Sequence, residues 1–262
     1  YEDFGPKVFE RKQNLAATTT KSFQGFLPGK KTKKVLEEAP YLFTSKYDSA
    51  VLKQQLESQF GQRKLGESKT RLVIPSFDVG RGEPHVYKTS HNERLQMDYR
   101  EKIVDVALAT TAAPTYFSTH QLENGITLVD GGLYANNPTG LAVVEAISLL
   151  GWKPENFKLL SIGCTNSPFS IDSNKCDMGL GDWAKHLVDT MMLAQSKQSM
   201  GTAYLLANHR ENQNIFRIDH TVQPGKFALD GIDGIRDLKA FGASMAREEI
   251  PALRKVFFNE RV

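Results

Sequence analysis

At 262 residues, 40% hydrophobic and 24% charged, the chain has the length and balance of a soluble globular protein, built as one large domain or one domain with an appendage. No stretch approaches the roughly eighteen consecutive apolar residues of a spanning helix, so any membrane contact is expected to be peripheral. A net charge of +3 is too small to imply nucleic acid, and the two cysteines, Cys164 and Cys176, are too few for a disulfide framework and lack metal-ligand spacing.

Along residues 1–14, Tyr1, Phe4, Val8 and Phe9 fall near helical spacing, as at the end of a helical segment. With no Met and no strand before that pattern, the chain is expected to be the later part of a longer domain. Residues 21–34 read as a loop that sets Phe23, Phe26 and Leu27 among Gly25, Pro28 and Gly29, followed by Lys30, Lys31, Lys33 and Lys34. An apolar tip with a cationic flank suits an anionic lipid surface, and the same composition also suits a solvated basic loop with its aromatic residues tucked inward. Residues 50–60 read as a helix through Val51, Leu52 and Leu56, stopped by Gly61. Residues 71–79 and 85–89 read as strands joined by a turn holding Gly80, Gly82 and Pro84.

A helix over residues 98–109 then carries Ile103, Val104, Ala107 and Leu108 as one apolar stripe, and Pro114 ends the pattern. Residues 126–129 are β-favouring and lead into Asp130, Gly131 and Gly132, so the chain can turn sharply and leave a carboxylate facing a cleft. Asn136 or Asn137 can cap a helix opened by Pro138, whose missing N–H costs nothing at a first helical position. That helix, residues 139–150, is expected to face Val143, Val144, Ile147 and Leu150 inward and to stop at Gly151; residues 157–162 form a buried strand.

Strands alternating with helices over residues 70–165 argue for an α/β layer architecture. The remainder reads as helical, with Trp183, Leu187, Met191, Ala194 and Leu205 on one side of one helix and Leu238, Phe241, Met245, Leu253 and Phe257 on one side of another. Met191, Met192 and Met200 suit a pliable acyl-chain cavity, or plain core packing. The domain division expected is 1–165 for the α/β part and 166–262 for a helical part packed on it.

Four segments together resemble the patatin-like phospholipase family: Tyr1-Glu2-Asp3-Phe4-Gly5-Pro6-Lys7-Val8-Phe9, Ser45-Lys46-Tyr47-Asp48, Ala109-Thr110-Thr111-Ala112-Ala113-Pro114-Thr115-Tyr116-Phe117, and Asp130-Gly131-Gly132-Leu133-Tyr134-Ala135-Asn136-Asn137-Pro138. The resemblance covers residues 1 to about 165. It implies an α/β fold with a mostly parallel sheet flanked by helices, and a lipid acyl hydrolase of phospholipase A type that uses a Ser/Asp dyad without cofactor or metal. Asp130 matches the family's aspartate in its Asp-Gly-Gly triplet. The serine's Gly-x-Ser-x-Gly elbow has no match: Gly66-Glu67-Ser68-Lys69-Thr70 and Gly242-Ala243-Ser244-Met245-Ala246 both lack the closing glycine. The nucleophile and the glycine-rich oxyanion loop are therefore expected upstream of Tyr1. Gly163-Cys164-Thr165 departs from the family's usual Gly-Thr-Gly at the next strand end.

A serine hydroxyl needs a base within about 3 Å to take its proton, and with no histidine between them the aspartate does so directly. Burial beside Val129 and Leu133 would raise its pKa from about 3.9 and make it a better base. The expected reaction is hydrolysis of a carboxylic ester in a phospholipid or other acyl lipid, through an acyl-enzyme, at a cytoplasmic or peripheral membrane location. An aspartate that merely caps a turn is the alternative reading of Asp130, and Asp78, at the end of its strand, is the next candidate, with a structural role the favoured reading. A chain holding a base without a nucleophile also fits a noncatalytic fragment or regulatory binding module. A third possibility is a Ser-His-Asp hydrolase using one of His85, His91, His120, His186, His209 and His220, though none of these sits in a recognisable nucleophile or metal motif. Some bacterial patatin-like enzymes are switched on by cyclic nucleotides, and the resemblance extends that analogy to the tail.

Overall fold

The computed structural model of the chain describes residues 2–12, 44–167, 177, 179–223 and 225–258. Contacts group the chain into two compact units, Tyr1–Gly132 and Leu133–Val262. The loop holding Phe23, Phe26, Leu27, Lys30 and Lys31 lies outside the described residues, as does Cys176.

In the first unit, α1 (Gly5–Val8) and α2 (Ser49–Phe60) precede the strands β1 (Val73–Asp78) and β2 (Glu83–Lys88). Helix α2 begins where the Asp48 carboxylate accepts the Ala50 N–H at 2.9 Å. The expected 98–109 helix is broken into a single 3-10 turn, Asp98–Arg100, and α3 (Ile103–Thr111). Two short strands follow, β3 (His120–Gln121) and β4 (Thr127–Asp130).

These strands form one sheet in the order β2-β1-β4-β3, with every neighbouring pair antiparallel. The α/β class holds, but the mostly parallel sheet expected from the resemblance does not describe these four strands. Only residues 79–82 separate β1 from β2, too few for the crossover that parallel neighbours require. Within that turn the buried Asp78 carboxylate accepts the N–H groups of Gly80 and Arg81, at 2.8 and 3.1 Å. Both bonds close the turn, in line with the structural reading of Asp78.

Helix α3 is buried on two sides, not along one stripe. Val106 and Ala109 pack with Leu65, Tyr87 and Leu128, while Val104 and Leu108 pack with Val8 and Leu52. Burying a residue such as Leu128 completely contributes about 1.5–3 kcal/mol, so these two clusters supply much of the first unit's cohesion.

In the second unit, α4 (Gly132–Ala135) leads to α5 (Thr139–Val144), which runs on into a π-helical turn over Glu145–Leu149. That turn is closed by the Leu150 N–H on the Glu145 carbonyl at 3.1 Å. Val143 and Ala146 are buried, while Val144, expected inward, is exposed. Strand β5 (Leu159–Asn166), helices α6 (Leu180–Leu206) and α7 (His209–Asn212), strand β6 (Ile215–Thr221) and helix α8 (Ile235–Leu253) complete the unit.

The tail is not wholly helical, because β6 pairs with β5 in parallel, from Leu159 against Ile215 to Asn166 against Thr221. Its β-favouring Ile215, Phe216 and Ile218 are interrupted by Arg217 and Asp219, which hid the strand from pattern reading. The face expected for α6 is also wrong: Leu187 and Met191 are half exposed and Leu205 is 83% exposed, whereas Met200, Ala203 and Ala207 join Val143, Phe157 and Ile215 in the core. Polar groups set that orientation, since the Ser199 hydroxyl donates to the Asn137 carbonyl at 2.6 Å and accepts the Gly140 N–H at 2.8 Å. Met191 and Met192 therefore do not join Met200 in a buried acyl cavity. For α8 the expected side is the half-buried one, with Phe257 beyond its end against Phe216 at 5.3 Å and Phe241 against His220 at 5.8 Å.

Candidate active site

Asp130 is the last residue of β4, and the reason the strand ends there lies in β1. The register pairs Ser76 with Asp130, which sets Pro75 opposite residue 131. Proline has no N–H to continue the ladder, so the chain leaves the sheet. It leaves through a glycine of necessity, because a Cβ on Gly131 would stand 2.3 Å from the Pro75 carbonyl oxygen. The glycine is required here by close approach.

The Asp130 amide donates to the Ala112 carbonyl at 3.0 Å, so this residue is already tied to the end of α3. One carboxylate oxygen, Oδ1, accepts the Gly132 N–H at 2.7 Å, and Oδ2 has no hydrogen-bond partner among the described residues. The side chain is half buried. Burial pushes its pKa above the ordinary carboxyl value, and the Gly132 N–H opposes that in part. Val129 and Leu128 on the same strand are buried, but Leu133, expected to help exclude water, is 46% exposed. Asp130 thus has one oxygen fixed in a turn and one open to accept a proton, with its basicity raised by desolvation.

The later half of the motif lies in the second unit. Of the two candidate caps it is Asn137 that serves, its Oδ1 accepting the Thr139 N–H at 3.2 Å. Asn137 also ends a one-way hydrogen-bond chain. The Arg217 Nη1 donates to Ser161 Oγ at 2.8 Å, Ser161 donates to Thr139 Oγ1 at 2.5 Å, and Thr139 donates to Asn137 Oδ1 at 2.5 Å. Each hydroxyl has one proton and the Asn137 amide oxygen only accepts, so Thr139 donates to it and Ser161 is left to donate to Thr139. Arg217 is itself held by Asp219 at 2.8 Å, and Gly163 leaves the space that the pair fills: a Cβ there would lie 2.6 Å from both side chains. The departure at Gly163-Cys164-Thr165 coincides with a register break between Ile162 and Thr165, and the Cys164 thiol is exposed. Neither Arg217 nor Ser161 was visible as a functional neighbour in the sequence, because no local pattern links residues so far apart.

Four of the six histidines have partners other than Asp130. His85 packs edge-on to Tyr87 at 4.5 Å, His91 Nδ1 lies 2.9 Å from Thr89 Oγ1, and His209 Nδ1 accepts the Ile215 N–H at 3.1 Å. His120 Nε2 comes within 3.2 Å of Asp105 Oδ1, at ion-pair distance but without hydrogen-bond alignment. Its burial holds its pKa below the usual histidine value despite that carboxylate. Sequence reading also missed Tyr87, which is fully buried with its hydroxyl unpaired among the described residues, and Glu101, whose pKa is raised by burial and then by Asp105 and Asp98. Among the described residues no group of three or more His, Cys, Asp or Glu is arranged to hold a metal ion, and no helix is long and apolar enough to cross a membrane.

A family model described as patatin-like phospholipase matches residues 4–143, a span that takes in the whole of the Asp130 motif. The chain belongs to this family. It is 32% identical over 202 residues to a cGAMP-activated phospholipase of Pseudomonas aeruginosa, an alignment covering 76% of this chain and 57% of that protein. A cGAMP-activated phospholipase of Vibrio cholerae is 31% identical over 224 residues, covering 78% of this chain and 62% of the relative. Patatin-like protein 2 of Arabidopsis thaliana is 28% identical over 221 residues, covering 74% and 54%. The chain thus spans less than two thirds of the length of each of these three relatives.

Proposed function

We propose that this chain carries the base-bearing part of a lipid acyl hydrolase of phospholipase A type, with Asp130 as the general base of a Ser/Asp dyad. The observation that carries the reading is Asp130 itself: a desolvated carboxylate at a strand end, anchored through Oδ1, with Oδ2 left to accept a proton. The serine belongs to polypeptide that precedes Tyr1 in the complete protein, in keeping with the incomplete span of the relatives. When the serine oxygen attacks the ester carbonyl, its proton passes to Asp130 Oδ2. The tetrahedral intermediate then collapses with loss of the alcohol, which takes that proton, and water attacks the acyl-enzyme with Asp130 again as base. No cofactor is called for.

The relatives include both cGAMP-activated phospholipases and plant patatin-like proteins. Activation by a cyclic dinucleotide is not assigned to this chain. Peripheral contact with a lipid surface is assigned to Phe23, Phe26, Leu27, Lys30 and Lys31 on their composition.

The test is Asp130→Asn in the complete protein. Loss of one general base lowers turnover of a soluble ester by about 100- to 10,000-fold. Wild-type turnover, in a protein whose serine variant is dead, would remove Asp130 from the mechanism. For the surface contact, reversing Lys30 and Lys31 to Glu should weaken binding to anionic vesicles while sparing soluble-ester hydrolysis, and equal losses in both would refute it.

A further inference from the structure

The Pro75 carbonyl is the point on which the Asp130 turn rests. Gly131 lies directly against it, and the Thr110 hydroxyl donates to the same oxygen at 2.7 Å. Two residues along from Thr110, the Ala112 carbonyl takes the Asp130 amide. The Asp130-Gly131 pair therefore sits in a slot with one wall from β1, at Pro75, and the other from the end of α3, at Ala112. Thr110 is the hydrogen bond that ties the two walls together.

The neighbouring threonine shows that this is a choice of partner. Thr111 turns its hydroxyl back onto the Ala107 carbonyl of its own helix at 2.6 Å, the usual habit of a helical threonine, whereas Thr110 reaches across to the sheet. The carbonyl it reaches is the one left over where proline ends the ladder. Resting on the reading of Asp130 as the base, we propose that Thr110 is a positioning residue of the active site: by joining α3 to Pro75 it sets the width of the slot and hence where the Asp130 carboxylate meets the serine. Thr110 touches no reacting atom. Its effect is geometric, and a shift of about 1 Å at a reacting group can cost about 100-fold in rate.

The experiment compares Thr110→Val with Thr110→Ser in the complete protein, hydrolysing a soluble short-chain ester. Valine keeps the shape and removes the donor; serine keeps the donor. With the fold retained by circular dichroism, Thr110→Val should lower kcat about 10- to 100-fold with KM within about twofold, and displace the acid limb of the pH–rate profile as water reaches Asp130. Thr110→Ser should stay within about threefold of wild type. In an Asp130→Asn background, Thr110→Val should have no further effect, because a residue acting through another is silent once that other is gone. Wild-type kcat and pH profile in Thr110→Val, or equal damage from serine and valine, would overturn the proposal while Asp130→Asn still tests the dyad separately. Should Thr110→Val not fold, Thr110→Ala is judged by the same criteria, and failure of both to fold would overturn the positioning role in favour of a structural one.

Discussion

Replacing Gly131 with alanine is the sharpest test of how the Asp130 turn is built. The added methyl would stand 2.3 Å from the Pro75 carbonyl oxygen, 2.4 Å from its carbon and 2.7 Å from its Cβ. Ordinary contact begins at 3.4 Å, so the two chains must part by about 1 Å. All three atoms belong to a proline in a strand hydrogen-bonded on both sides and tied to α3, so none can swing away. Either β4 peels from β1, straining the buried Ser76 hydroxyl bond to the Val129 carbonyl, or the core absorbs the extra volume. Either way the cost is about 1–3 kcal/mol, so Gly131→Ala should destabilise by about 1–3 kcal/mol. Denaturant unfolding of the complete protein followed by circular dichroism measures this, with exchange of β1 and β4 amides as the local readout. Gly201 in α6, exposed and with nothing near its missing Cβ, is the matched control: Gly201→Ala should stabilise by about 0.5–1 kcal/mol. A Gly131→Ala protein within 1 kcal/mol of wild type would refute the close approach.

Asp130→Asn keeps an acceptor for the Gly132 N–H while removing an ionisation that burial makes costly. A folded-state pKa above the unfolded value near 3.8 means that the carboxyl's contribution to stability is full below that value and is lost as pH rises through the folded one. The asparagine variant should therefore gain on wild type in thermal melts between about pH 4 and pH 8, and a variant less stable than wild type at pH 8 would show that the charge holds the turn together. In the second unit, Thr139→Val breaks the chain from Arg217 to Asn137 and strands the Ser161 proton, at a cost of about 1–3 kcal/mol, whereas Thr139→Ser should lose less than about 1 kcal/mol. Equal losses from the two, measured by denaturant unfolding, would mean that the methyl group matters and the relay does not.

The amino-acid sequence by itself determined the local parts of this protein: four β-favouring residues, a carboxylate, two glycines and an asparagine cap in one short run are enough to make a strand end, a tight exit and a helix start. It likewise determined the half-buried side of α8, where the apolar spacing meets no competing polar grip. Tertiary structure alone decided why position 131 tolerates only glycine, because that depends on Pro75 lying opposite it in an antiparallel register. The burial of α6 was decided the same way, by Ser196 and Ser199 gripping Asn137 and Gly140 while an apolar stripe was left exposed. Propensities and capping act between neighbours in the chain, whereas register, close approach and buried polar partners act between residues tens of positions apart, and no local pattern carries their distances.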